Sequence, residues 1–124
     1  MWFLLTAQDV IDLHDEVLNP GELVGLAKDK SIEAAIGRVD WRINYGAVND
    51  EFDLAAAYVV AIAQAHAFND ANKRTAFAAL DTLLAGNGIV VTWQVKEVGD
   101  IIIDVAQGNV DEDQLARWLR EHVV

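Results

Sequence analysis

Apolar positions recur three and four residues apart along most of this chain, the spacing that lays one face of an α-helix against a core. Thr6 is placed to cap a first helix with Val10, Ile11, His14, Val17 and Leu18 on its inner face, ending before Asn19-Pro20-Gly21. Ser31 opens a second, running to about Arg42, with Ile32, Ala35, Ile36 and Val39 inward, and Asn44 to Asp50 is a turn-rich break. From Glu51 the pattern changes. Leu54, Ala55, Tyr58, Val59 and Ile62 fill one side while Ala56, Ala57, Val60, Ala61 and Ala63 fill the rest, so this helix is apolar all round and is expected at the centre of the fold.

A polar interruption at Asn69-Asp70-Ala71-Asn72 precedes a fourth helix with Ala76, Phe77, Leu80, Leu83 and Leu84 inward, which stops at Gly86-Asn87-Gly88, a cap and turn. Ile89-Val90-Val91-Thr92-Trp93 is the one β-like run, expected as a short edge feature because a lone strand of that length is unstable. Two more helices, about Val95 to Gln107 and Asp111 to His122, complete the chain, the last opened by a capping box of Asp111 and Gln114. The expected fold is an all-α bundle of about six helices with one short extended segment, forming a single domain over residues 1–124.

Charge removes several classes of function. Nine Lys and Arg stand against twenty Asp and Glu, a formal net charge of −11. That balance repels polyanions, so neither nucleic acid nor an anionic membrane surface is an expected partner. With no Cys there is no disulfide framework, thiol chemistry or Cys-type zinc site. No apolar run is long enough to span a bilayer, and Met1 to Leu5 is too short for a signal sequence, so the expected location is the cytoplasm.

Chemistry concentrates in His66-Ala67-Phe68-Asn69-Asp70-Ala71-Asn72-Lys73-Arg74-Thr75, where two apolar helices meet. His66 is the one side-chain type whose ordinary pKa suits proton exchange near neutrality. The following loop feeds a helix N-terminus, whose free N–H groups favour an anion such as phosphate. Lys73 and Arg74 sit beside that terminus, where the helix dipole alone would prefer carboxylates, so an anionic ligand accounts for them. Asp70 supplies a hard oxygen ligand for a Mg²⁺ shared with phosphate groups. Together these describe phosphoryl or nucleotidyl transfer. A plainer reading fits the same residues: Asn69 or Asp70 as a helix cap, His66 as a core histidine, Lys73 and Arg74 as solvated cations.

The segment resembles the signature of the Fic/Doc family, His-x-Phe-x-(Asp/Glu)-(Gly/Ala)-Asn-(Gly/Lys)-Arg, with His66, Phe68, Asp70, Asn72 and Arg74 all in place. The resemblance implies that His66 takes the proton from a target hydroxyl and that Asp70 holds Mg²⁺. It further implies that Asn72 and the backbone around it form an anion hole, that Arg74 holds a phosphate beside the Lys73 already read as a phosphate contact, and that Phe68 is a buried anchor. Where the adenylylating members usually have Pro, Gly, Gly and a second Arg, this chain has Ala67, Ala71, Lys73 and Phe77.

Those differences resemble the Doc branch. There the nucleotide is understood to bind reversed, so that the γ-phosphate of ATP passes to a threonine of elongation factor Tu and translation stops. The resemblance also implies a Phd-like antitoxin as partner. A Fic-type protein adenylyltransferase and a non-catalytic binding module are the alternatives. Arg38 and Arg42, four apart, and Tyr45 precede the 44–50 break, where the resemblance implies a target-positioning flap; a solvated helix face is the expected reading of them, and substrate contact the alternative. His14, in an apolar stripe, is expected to be a hydrogen-bonded core residue outside the site, and Gly86-Asn87-Gly88 a turn with no catalytic role.

Overall fold

The computed structural model describes residues 2–122 and contains six helices: α1 Ala7–Val17, α2 Ile32–Asn44, α3 Glu51–Ala65, α4 Asn72–Gly86, α5 Val95–Ala106 and α6 Glu112–His122. The helix starts follow the capping chemistry of the sequence. Thr6 and Asp9 form a reciprocal capping box on α1, and Ser31 and Asp50 accept the Ala34 and Asp53 N–H groups at α2 and α3. At α6, Gln114 N–H donates to Asp111 and Asp111 N–H to the Gln114 side chain.

Every side chain from Leu54 through Ala63 is buried, so α3 is the central helix, and α2, α4, α5 and α6 pack around it. Its alanines let these neighbours approach closely, and the larger Leu54, Tyr58 and Ile62 fill the space between them. Helix α1 lies against α4 and α2. The chain before α1 is tied to the core at two points. The Tyr58 hydroxyl donates to the Leu5 carbonyl and accepts its N–H, while the Asn87 side chain bonds both backbone groups of Phe3. The Phe3 ring also covers Gly86 so closely that a Cβ there would overlap it. The Gly86-Asn87-Gly88 turn therefore serves to anchor the start of the chain.

The segment from Ile89 to Trp93 is not a strand. Burial alternates as in one, with Ile89, Val91 and Trp93 packed on the core and Val90 exposed, but among the described residues no second strand lies beside it. The one isolated β-bridge among the described residues is antiparallel and joins Leu26 to Phe68, which brings the α1–α2 connection onto the motif loop. Trp93 and Trp118 pack against each other, with ring centroids 6.2 Å apart. No helix among the described residues is long and apolar enough to cross a membrane.

Candidate active site

The motif loop joins the C-terminus of α3 to the N-terminus of α4, and a cavity of about 420 Å³ opens there, lined by His66, Asp70, Ala71, Lys73, Arg74 and Glu22 among others. His66 and every motif residue from Asn69 to Arg74 line this cavity. Two of them have left-handed backbone. His66, at the C-cap of α3, has φ 49°, and Ala71, at the N-cap of α4, has φ 64°. Each conformation costs a residue with a Cβ on the order of 1 kcal/mol, so the surrounding contacts must hold the loop in place.

The His66 turn ends the central helix and leaves its imidazole exposed at the cavity wall, without a hydrogen bond to any described residue. A ring in that state is free to take a proton from a bound hydroxyl. At the other end of the loop, α4 starts without a side-chain cap. Neither Asn69 nor Asp70 takes that role: Asn69 bonds the carbonyls of Val24 and Leu26 through its amide, and Asp70 accepts the Leu23 N–H at 2.9 Å. The capping explanation for the loop's polar residues therefore fails. The N–H groups of Asn72, Lys73 and Arg74 bond to no described residue, and all three residues line the cavity, a backbone nest of the kind that can receive an anion. Lys73 is exposed beside it and forms no ion pair among the described residues.

Asn72 and Arg74 are placed otherwise than their expected phosphate contacts suggest. The Asn72 side chain clamps the backbone of Phe68, accepting its N–H at 3.0 Å and donating to its carbonyl at 2.9 Å. Asn72 therefore braces the loop, and only its backbone N–H remains for the nest. Arg74 donates to the Val17 carbonyl at 2.6 Å and forms an ion pair with Glu22. The hydrogen bond from Arg74 holds the Glu22 carboxyl below its ordinary range and in turn raises the guanidinium.

Phe68 is a buried anchor, as expected, and its ring stacks on His14 at 3.8 Å and 6°. His14 is a buried, hydrogen-bonded core residue as expected, but its partner is the loop: its Nε2 lies 2.8 Å from the Asp70 carbonyl. The flap expectation needs correcting. Arg38 and Arg42 pair with Glu112 and Asp113 of α6, and the segment on the motif loop is 22–27, where Ala27 N–H donates to the Ala67 carbonyl and Asn69 N–H to the Gly25 carbonyl. The 44–50 break precedes the central helix and makes none of these contacts. Glu22 and Leu23 went unnoticed in the sequence because they lie in a loop with no periodic or motif signal.

A buried helical hairpin carries a histidine at one lip of the cavity and an uncapped helix N-terminus with an exposed cation at the other, an arrangement suited to a phosphate-bearing ligand. The family model described as Fic/DOC family matches residues 4–84. The chain is 37% identical over 117 residues to the protein kinase doc of Escherichia phage P1, covering 94% of this chain and 92% of that one. It is 39% identical over 70 residues to the toxin Doc of Mycolicibacterium smegmatis, covering 55% and 54% of the two chains. The chain belongs to the Fic/Doc family. Within that family it is a kinase-type phosphotransferase.

Proposed function

We propose that this chain is the toxin of a toxin–antitoxin pair, a single Fic/Doc domain that transfers the γ-phosphate of ATP to a threonine hydroxyl of elongation factor Tu in the cytoplasm and so arrests translation. The observation that carries the phosphate chemistry is the uncapped N-terminus of α4, which stays uncapped although two capping-competent residues immediately precede it. The kinase and toxin relatives supply the reaction class and the biological setting. A Phd-like antitoxin is the partner that such a toxin requires.

In this reading His66 accepts the proton of the threonine hydroxyl as its oxygen attacks the γ-phosphorus. The bond from that phosphorus to the bridging oxygen breaks, and ADP leaves. The nest and Lys73 hold phosphate oxygens, and Arg74 joins them when it exchanges its Glu22 partner for phosphate. Asp70 would hold Mg²⁺ with one carboxylate. Bound there, the ion would neutralise phosphate charge.

Phe77 and Lys73 favour phosphoryl over AMP transfer: Phe77 is partly buried where adenylylating members carry a second guanidinium, and Lys73 projects where they carry glycine. Incubating elongation factor Tu with the protein, Mg²⁺ and ATP labelled at either the γ or the α position tests the proposal. Transfer of the γ label alone is expected; transfer of the α label would establish AMP transfer instead.

A further inference from the structure

The Asp70 carbonyl accepts a hydrogen bond from His14 and from no other described group. A trans peptide points its C=O and its N–H in opposite directions. Holding the Asp70 oxygen inward therefore turns the Ala71 N–H outward, and Ala71 lines the cavity with that N–H unbonded to any described residue. We infer that His14 is a positioning residue for phosphate transfer, setting the orientation of the 70–71 peptide so that the Ala71 N–H serves the phosphate nest. The inference rests on the reading of this loop as the ATP phosphate site.

His14 is built for that task. Its side chain is 0% exposed, its face is stacked on Phe68 and its Nε2 faces the Asp70 carbonyl, so the ring is fixed by packing and by one hydrogen bond. A carbonyl only accepts, so Nε2 carries the proton. The contact spans 56 positions of sequence and ties α1 to the loop. Filling the same volume without a donor would leave the carbonyl unpaired in a partly buried place, and the peptide would gain by rotating toward solvent. That rotation would carry the Ala71 N–H away from the nest, at a site where small displacements are costly.

The test compares His14→Gln with His14→Met, side chains of similar length and volume, of which only Gln offers a donor near the position of Nε2. Steady-state transfer to elongation factor Tu gives kcat and KM for ATP, ADP binding is measured by calorimetry, and melting curves report the fold. With both variants folded, the Met variant is expected to lose about ten- to a hundredfold in kcat/KM and to bind ADP more weakly, while Gln restores most of both. Met kinetics and ADP binding equal to those of Gln would overturn the inference. If the Met variant does not fold, the wild-type protein decides: the Ala71 amide resonance must shift on adding ADP, and an unmoved resonance while ADP binds would overturn it. A wild-type protein that neither binds ADP nor transfers phosphate would instead defeat the proposed function itself.

Discussion

Glu22 and Arg74, 52 positions apart in sequence, form an ion pair at the mouth of the cavity, so the guanidinium assigned to phosphate is already held by a carboxylate. The same α1–α2 connection places the Leu23 N–H on Asp70. One short segment thus contacts both the anion-binding and the metal-binding candidates, and in the proposed function ATP would compete with it for Arg74.

Glu22→Gln removes that competition. The expected result is a lower KM for ATP with kcat little changed, by no more than several-fold, because exposed ion pairs are weak. The Glu22 carboxyl titrates below its ordinary range, so the pair is present at neutral pH and is lost only in acid as the pH falls through that lowered value. KM for ATP measured from pH 6 to 8 should accordingly show no break attributable to Glu22.

Ala71 carries a left-handed backbone with a side chain that disfavours it. Ala71→Gly relieves roughly 1–2 kcal/mol of steric cost and loses about 0.4–1 kcal/mol to the greater freedom of the unfolded chain, so a small net stabilisation is expected. Ala71→Val, with a β-branched side chain at the same φ, should destabilise. Urea midpoints for the two variants, moving in opposite directions, check both.

Asn72 holds the loop by two hydrogen bonds to Phe68, whose backbone is partly buried. Asn72→Ala leaves a donor and an acceptor without partners and is expected to cost about 2 kcal/mol in stability, together with most of the transfer activity. Asn72→Asp retains only the acceptor, so its denaturation midpoint should fall between those of Ala and wild type.

Asp50 caps the central helix and receives two hydrogen bonds from Arg120, which also reaches Asp53. Burial pushes the Asp50 carboxyl up, but the bonds from Arg120 and the Asp53 N–H outweigh it, and the net shift is downward. A depressed carboxyl stabilises the fold above its unfolded pKa and loses that contribution as pH falls through the folded value. Asp50→Ala is expected to cost on the order of 1–2 kcal/mol at neutral pH and progressively less in strong acid. Melting temperatures of wild type and variant from pH 7 down to 3 should therefore converge.

The helices and their starts were legible because periodicity and capping are local: Thr6, Ser31 and the Asp111–Gln114 pair act within one turn of where they stand in sequence. The motif residues were legible as a group for the same reason, being contiguous. Their partners were not. The links from Asn72 to Phe68, Arg74 to Glu22 and His14 to Asp70 depend on how the loop folds back and on the docking of α1, which no spacing rule encodes. Ile89 to Trp93 shows the opposite limit, since its alternation is real but a strand also needs a neighbour, and the described residues provide none.

The central claim is that His66 is the base in phosphoryl transfer from ATP. Its most direct test is the intact mass of elongation factor Tu after incubation with the purified protein, ATP and Mg²⁺, beside the same reaction with His66→Ala. The wild type is expected to add one phosphoryl group and a folded His66→Ala variant none. An equal gain with both would contradict that claim.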